Sequence, residues 1–196
     1  IAGANNGIPF GGLTYTTDRA GTANKAASFD GLNDSVLTTS AIAERSIACW
    51  FRANAAAQMP ILQGGNTGNT TGAGYFIGTY QPGGIPAVSW DTTYGLVVDF
   101  NNIAAYIQFQ NITTGWHHLA VSWDGIGANI KVAIDGTFLP GYLYNAGGFA
   151  GNLSVQPFTL GAVPNPAASA LTRLGVNFGA KLWNTGLDKL NGRLDD

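Results

Sequence analysis

The stretch Trp116-His117-His118-Leu119-Ala120-Val121-Ser122-Trp123 decides the fold class, because bulky apolar residues alternate in it with small or polar ones. Successive side chains of a β-strand point to opposite faces of the sheet. The odd-numbered residues from Leu119 to Trp123 therefore share one face, and the even-numbered residues from His118 to Ser122 share the other. The face with leucine, valine and tryptophan is predicted to pack into a protein core.

Short runs of β-forming residues recur along the whole chain, separated by Gly, Asn, Asp and Pro, a texture that predicts an all-β sandwich or barrel. The predicted strands are Ala26–Phe29, Val36–Thr38, Ser46–Arg52, Pro60–Gln63, Gly74–Thr79, Ala87–Trp90, Gly95–Phe100, Ala104–Gln108, His117–Trp123, Asn129–Ile134 and Phe158–Gly161. Short helices are predicted only at Ala41–Arg45 and Asn165–Leu174, and exposed loops at Gly64–Gly74, Tyr80–Pro86 and Pro140–Gly151. The residues predicted to form the core are Phe29, Trp50, Trp116, Leu119, Val121, Trp123, Val132 and Ile134.

Length and composition limit the possible partners. A chain of 196 residues is long enough for one large sandwich with a single core. Charged residues make up only 10% of it, against about 25% in an ordinary soluble domain, and the net charge is −2. Neither nucleic acid nor an anionic membrane is expected as a partner, because both require a cationic surface. The apolar runs are also too short for a membrane span of about 20 residues, so membrane insertion is not expected.

The single Cys49 lies among apolar residues and is predicted to be a buried, unreactive thiol. The chain begins with Ile1 and shows no signal peptide, which suggests a processed or fragmentary product. Few lysines and many Asn, Thr and Gly favour an extracellular setting, either secreted or on a virion surface.

Six segments, in order along the chain, resemble motifs of laminin-G-like domains, which belong to the concanavalin A-like lectin and glucanase jelly rolls. The segment from Ala27 to Val36 is similar to the opening FDGxxDyV motif, Ser46–Arg52 is similar to the fTisaWvr strand, and Gly115–Asp124 resembles gkWHHvavtyD. The other three are Ile130–Gly136, Phe158–Gly161 and Asn191–Asp196, the last similar to a closing fxGxiDdv motif. The resemblance implies a two-sheet antiparallel β-sandwich, with residues 1–25 as an N-terminal arm and first strand region and residues 26–196 as the jelly-roll domain. It also implies a further strand after the closing motif, which this chain does not include.

Catalysis is not expected. Many relatives of this fold hydrolyse polysaccharides, and their sites resemble a Glu-x-Asp-x-x-Glu strand whose two glutamates act as nucleophile and acid/base. This chain has a single glutamate, Glu44, so that pair cannot form. Asp91, Asp99, Asp124 and Asp135 lie at strand ends or turns, where aspartate is favoured for structural reasons. His117 and His118 point to opposite faces and cannot chelate one ion, and a structural role is expected for His118.

Sugar recognition needs an aromatic platform beside amide and carboxylate groups. The predicted ligand-binding residues are aromatic residues in or near segments rich in Asn and Gln: Tyr80, Tyr94, Tyr142, Tyr144 and Trp183. Tyr142 and Tyr144 are favoured among them. Some of these side chains could instead cap the ends of the sandwich.

A structural calcium ion is predicted at Asp30, Asp34, Asp195 and Asp196, because calcium takes carboxylate and carbonyl oxygens. The resemblance implies that the opening and closing motifs lie close together, so one ion would join them. The alternative is that the Asp-Gly turn needs no metal.

Three functions remain open at this point. The first is a non-catalytic extracellular carbohydrate-binding or adhesion module that binds a glycan or a glycosylated surface receptor. The second is a structural or receptor-attachment component of a larger assembly, such as a phage virion or an extracellular fibre, which would contact other subunits or other copies of itself. The third is a degenerate or unusual hydrolase.

Overall fold

The computed structural model describes residues 7–38, 46–54, 59–65, 74–80, 95–100, 104–108, 114–122, 131–138, 141–145, 148–153, 176–179 and 189–195. These residues form strands and turns and contain no helix. In chain order the strands are β1 (Gly7–Phe10), β2 (Thr14–Thr16), β3 (Ala26–Asp30), β4 (Ser35–Thr38), β5 (Ser46–Ala53), β6 (Met59–Gly65), β7 (Gly74–Tyr80), β8 (Gly95–Phe100), β9 (Ala104–Gln108), β10 (Trp116–Ser122), β11 (Lys131–Ile134), β12 (Thr137–Phe138), β13 (Gly141–Asn145), β14 (Gly148–Leu153), β15 (Val176–Phe178) and β16 (Asn191–Asp195).

The strands make two antiparallel sheets, which confirms the predicted all-β sandwich. The nine-stranded sheet has the order β1-β4-β15-β6-β7-β8-β9-β13-β14, and the seven-stranded sheet has the order β12-β11-β10-β5-β16-β3-β2. The chain crosses repeatedly between them, so that β16 lies between β3 and β5. Among the described residues, β1 pairs with β4 alone and β2 with β3 alone, so each lies at one end of the strand order of its sheet.

The core follows the alternation of the strands. In β5, Cys49, Phe51 and Ala53 are buried, and in the neighbouring β10, Leu119 and Val121 are 0% and 2% exposed. Five of the predicted core residues are confirmed: Phe29, Leu119, Val121, Val132 and Ile134.

The prediction that Trp50 belongs to the core is wrong. Trp50 is half-buried and alternates with Cys49 and Phe51, which places it on the outer face of the seven-stranded sheet. Trp116 shares that face, because the register pairs it with Arg52, two residues along β5 from Trp50. Trp123 lies outside the described residues.

A tight turn at Asp135-Gly136 connects β11 and β12. Both residues have positive φ, 52° for Asp135 and 76° for Gly136, as a two-residue type I′ hairpin turn requires. Asp-Gly is among the residue pairs that adopt this turn most readily, so local sequence accounts for the hairpin.

Gly179 links the two sheets at a point where no side chain fits. Its N–H donates to the Ile61 carbonyl oxygen at 3.0 Å, and its own carbonyl oxygen accepts from the Leu190 N–H at 2.9 Å. Its φ is 78°, and a Cβ at this position would collide with the ring of Phe29. The contact keeps the end of β15 against the core.

Some predicted elements differ from the structure or lie beyond it. The loop predicted at Pro140–Gly151 is wrong in large part, because Gly141–Asn145 and Gly148–Leu153 pair as a hairpin at the edge of the nine-stranded sheet. The predicted strands Ala87–Trp90 and Phe158–Gly161 and both predicted helices fall outside the described residues.

Within the described ranges, the structure has no helix long and apolar enough to cross a membrane. Cys49 is buried as predicted, and burial raises the pKa of its thiol to about 12.

Candidate functional site

The register of the nine-stranded sheet assigns its paired residues to one or the other of two faces. One row of paired residues crosses the sheet through Leu62, which is fully buried. Its members are all apolar or aromatic: Val36, Phe178, Leu62, Ile77, Val98, Tyr106 and Leu143. Because neighbouring residues of a strand alternate between faces, the adjacent row lies on the opposite face of the sheet.

The row on that opposite face combines aromatic, amide and carboxylate residues. From β4 to β14 it contains Leu37, Asn177, Gln63, Phe76, Asp99, Ala105, Tyr144 and Phe149. Adjacent strands are about 4.8 Å apart, so the part from Gln63 to Tyr144 spans about 19 Å. We call this side of the nine-stranded sheet the tyrosine face.

Three of the five predicted ligand-binding residues lie on the tyrosine face. Tyr142 and Tyr144 are two residues apart on β13, about 7 Å along the strand. Tyr80 is the last residue of β7. It lies four residues after Phe76, so both residues belong to the same face of the sheet. The backbone thus places Tyr80, Tyr142 and Tyr144 on the same side of one sheet. Tyr94 and Trp183 lie outside the described residues.

The carboxylates predicted to bind calcium are not brought together in the part of the chain that the structure describes. Asp30 and Asp34 share the turn after β3, where the Asp34 carboxylate accepts the Asp30 N–H at 2.9 Å. Asp195 lies one register position beyond the Leu194–Ala27 pair, about 13 Å along the strands from Asp30. No group of three or more His, Cys, Asp or Glu residues suited to a metal occurs among the described residues. Asp196 is outside them.

The turn after β3 contains one buried carboxylate oxygen that has no hydrogen-bond partner. Asp30 Oδ1 accepts the N–H groups of Leu32 at 2.7 Å and Asn33 at 3.3 Å. These bonds, the one from Leu32 above all, hold the pKa of Asp30 below its ordinary value. Asp34 is 4% exposed, and its Oδ1 is buried without a hydrogen-bond partner. The calcium site expected at Asp30, Asp34, Asp195 and Asp196 stays a prediction.

His117, rather than His118, has the side-chain partner expected of a structural histidine. Its Nδ1 lies 2.8 Å from Asp135 Oδ2, while Asp135 Oδ1 accepts the His118 N–H at 2.8 Å. Burial raises the pKa of Asp135, but the His117 and His118 hydrogen bonds outweigh it and leave the pKa below its ordinary value. As the alternation predicts, the two rings lie on opposite faces: His117 packs against Phe51 and His118 against Trp50. These contacts connect the β11–β12 hairpin to β10, and the two histidine rings cannot bind one metal ion together.

On the outer face of the seven-stranded sheet, Trp50 is the centre of a cluster that sequence reasoning missed. The His118 ring lies 5.0 Å from it between ring centroids, and the Arg19 guanidinium lies 5.0 Å from its centroid in a cation–π contact. Arg19 also forms an ion pair with Asp195, whose side chain is 3% exposed. The alternation of β5 separates Trp50 from Cys49 and Phe51, but it does not indicate which of the two faces is buried. No local signal connects Arg19 with Asp195, because 176 residues separate them.

No protein-family model matches the sequence, and no curated protein matches it. Among solved structures, the chain is similar to full-length tailspike protein 2 from Escherichia coli O157:H7 bacteriophage CAB120, with a TM-score of 0.55 and 13% identity over 97% of this chain. The chain spans 24% of that tailspike, about a quarter of its length.

Two further structures have lower scores. CBM40 of the Ruminococcus gnavus IT-sialidase gives a TM-score of 0.48 at 9% identity, covering 96% of this chain and 86% of that one. A beta-1,3-glucanase from Mycobacterium marinum gives a TM-score of 0.40 at 12% identity, covering 83% and 65% of the two chains. The tailspike match agrees with the two antiparallel sheets described above and supports the β-sandwich fold alone.

Proposed function

We propose that this chain is a non-catalytic, extracellular carbohydrate-binding module of the laminin-G-like kind and that the tyrosine face receives the glycan. The observation that supports the proposal is the backbone register, in which Tyr80, Tyr142 and Tyr144 have positions on the same face of one sheet as Asn177 and Gln63. Aromatic rings offer an apolar surface for the C–H faces of sugars, and amides supply both donors and acceptors for hydroxyl groups.

The distribution of carboxylates favours binding over hydrolysis. Glycosidases of either stereochemistry need two carboxyl groups, about 5–5.5 Å apart for retention or about 6.5–9.5 Å apart for inversion. Asp99 is the one carboxylate that the register places on the described part of the tyrosine face. The single glutamate of the chain, Glu44, precedes β5, a strand of the opposite sheet. One carboxylate, rather than a pair, on the described part of this face supports a lectin-like module over a hydrolase.

The test replaces Tyr142 and Tyr144 by alanine, singly and together, and measures binding on an array of neutral and charged glycans, followed by calorimetry on the best glycan. Each variant is expected to bind at least about tenfold more weakly, the loss of one well-placed contact of about 1.4 kcal/mol. The melting temperature should stay within about 2 °C of wild type, as for other surface substitutions.

The matched control is Leu143→Ala on the same strand. Its row passes through the buried Leu62, so this variant should lower the melting temperature and leave the affinity of the folded fraction unchanged. Retained binding in the double tyrosine variant would contradict the proposal. Release of reducing ends from the bound glycan would contradict its non-catalytic part.

A second candidate function is a structural or receptor-attachment component of a larger surface assembly, such as a phage tail. The observation that favours it is apolar surface on two edge strands. Ile8 and Phe10 of β1 are 45% and 49% exposed, and Tyr15 of β2 is 58% exposed. Exposed apolar residues along sheet edges are typical of contact sites for another chain.

A further inference from the structure

The outer face of the seven-stranded sheet has a row of residues that the tyrosine face does not include. Cys49 and Phe51 of β5 are buried, so Arg52 is on the outer side of that strand. The register pairs Arg52 with Trp116 on one side and with Arg193 on the other, and continues through Ser28 to Thr14. We call these five residues the arginine row.

Two arginines directly opposite each other are unusual in a chain with only nine Lys and Arg residues in total. Direct cross-strand partners have Cβ atoms about 5 Å apart, and like charges at that distance are destabilising. Both side chains are half-buried, and Arg52 Nε is buried without a hydrogen-bond partner. A guanidinium N–H removed from water in this way needs an acceptor.

The nearby carboxylates are already engaged. Asp195 is two residues from Arg193 on the same face, but it forms the ion pair with Arg19. Asp30 is two residues from Ser28, and its Oδ1 accepts backbone N–H groups of its own turn. Among the described residues, neither Arg52 nor Arg193 has a carboxylate within ion-pair distance. The positive charge of the arginine row is therefore uncompensated within that part of the chain.

We propose that the arginine row binds an acidic sugar, with the carboxylate of a uronate-type residue on Arg52 and Arg193. Guanidinium groups bind carboxylates through paired N–H donors, and a bound anion removes the repulsion between the two arginines. This site is on the opposite sheet from the tyrosine face and does not depend on it.

The neighbours of the two arginines favour a sugar over an acidic peptide. Trp116 is half-buried beside Arg52 and offers an aromatic surface, and Ser28 and Thr14 supply hydroxyl groups on the other side. In the next row the exposed Asn54 and Asn191 are joined by an amide hydrogen bond of 2.9 Å, which leaves further donors and acceptors on both amides. An aromatic ring, paired cations and a rim of hydroxyls and amides match a ring-shaped, hydroxylated anion.

The experiment is calorimetric titration of the full chain with tetragalacturonate, with the same oligosaccharide after reduction of its carboxyl groups, and with tetraglutamate. The acidic oligosaccharide should bind, and the reduced form should bind at least about tenfold more weakly through loss of the charged hydrogen bonds. A sulfated neutral oligosaccharide distinguishes a requirement for carboxylate from a requirement for any anion. Equal binding of tetraglutamate, or of the reduced oligosaccharide, would overturn the proposal.

Arg52→Gln and Arg193→Gln should each weaken binding of tetragalacturonate by about tenfold or more, while Arg52→Lys, which keeps the charge but loses the paired donors, should be intermediate. Lys131→Gln is the control, because Lys131 is an exposed cation on β11 of the same sheet. Each glutamine substitution removes a repulsion between the two arginines, so the melting temperature should stay equal or rise. That result excludes misfolding as the cause of weaker binding. Tyr144→Ala should leave this titration unchanged, so failure here and failure of the tyrosine-face proposal are separate results. Unchanged affinity in both glutamine variants would overturn the proposal.

Discussion

At the scale of single residues, the carboxylate of Asp135 is a local stabiliser that uses both of its oxygens. One accepts the His118 N–H and the other contacts His117 Nδ1, so the side chain connects the β11–β12 turn to β10. The pKa of Asp135 is lowered in the folded protein from an ordinary value of 3.8. Its contribution to stability is therefore complete above about pH 3.8 and is lost as the pH falls through the folded-state pKa.

Asp135→Asn should lower the free energy of unfolding at pH 7 by about 1 kcal/mol, a small value because the side chain is 44% exposed and partly screened. Asn-Gly still adopts the type I′ turn, so the substitution tests the carboxylate and spares the turn. Urea unfolding at pH 7 and pH 3 measures the effect, and the difference between wild type and variant should shrink at pH 3. Lys131→Ala in the same hairpin should show no such pH dependence. An Asp135→Asn difference that is the same at both pH values would contradict this role.

The same residues show what local sequence can and cannot predict. Asp135-Gly136 is recognisable as a turn from its two residues alone. Its partner His117 is 18 residues away, and only the pairing of β10 with β11 brings the two side chains together. Local sequence therefore offers no reason to prefer His117 over His118 for the structural role.

At the scale of elements, strands were predictable from sequence, but the inward face of an all-apolar strand was not. β5 is apolar on both sides from Ile47 to Phe51, so alternation gives two faces without saying which is buried. The aromatic side chain of Trp50 suggested that its face of β5 is the buried one. In the structure Phe51 packs into the core, so the face with Phe51 is buried. The hairpin β13–β14 was missed for a related reason: its Gly and Asn content is typical of loops, and pairing with β9 stabilises it as strand.

The loop between β2 and β3 is held to β16 by Arg19, and this link should matter to the stability of the whole sheet. Arg19→Ala leaves the Asp195 carboxylate, 3% exposed, without its cation and removes the cation–π contact with Trp50. Removing one partner of a buried ion pair costs about 3–5 kcal/mol of stability. The Arg19 side chain is 38% exposed, which weakens the pair, so we expect the free energy of unfolding to fall by about 2 kcal/mol. For a chain of this length that lowers the melting temperature by about 4–8 °C.

Adding Asp195→Asn to Arg19→Ala should recover part of the loss, because a buried amide costs less than a buried carboxylate that has lost its ion pair with Arg19. Lys25→Ala, at an exposed position of the same loop, should have little effect. A double variant less stable than Arg19→Ala would show that the charge of Asp195 is stabilised by other groups. Thermal melting followed by near-ultraviolet circular dichroism reports both the midpoint and the packing of Trp50.

At the scale of the whole molecule, the tyrosine face exists only once the strands are in register. Tyr80, Tyr142 and Tyr144 were predicted one by one, from their chemistry and from an expected position in loops. Their common face depends on pairings between residues as distant as Phe76 and Asp99, or Ala105 and Tyr144, which no local pattern contains. The same holds for the arginine row, where β5, β10 and β16 contribute residues from three distant parts of the chain.

The edge formed by β1 and β2 is the place where copies of this chain are expected to meet. Beside it, a cavity of about 700 Å³ opens between the sheets and is lined by Leu13, Tyr15, Phe29, Val36 and Leu194 among others. Exposed apolar edges associate unless they are protected by charge or proline. Pro9 removes one hydrogen-bond donor from β1, so contact through the side chains of Ile8 and Phe10 is favoured over strand addition.

The double variant Ile8→Lys/Phe10→Lys should abolish self-association, because it places two cations on the edge where the apolar contact forms. Sedimentation velocity over a wide concentration range should show the wild type growing in mass and this variant remaining monomeric. Leu32→Lys is the matched control, since Leu32 is 76% exposed in the turn after β3 and not on an edge strand. That control should behave as wild type, and glycan binding by the monomeric variant should persist because the tyrosine and arginine residues are unchanged. A wild-type chain that stays monomeric at the highest concentration, with an identical profile for Ile8→Lys/Phe10→Lys, would remove the support that the edge strands give to an assembly role.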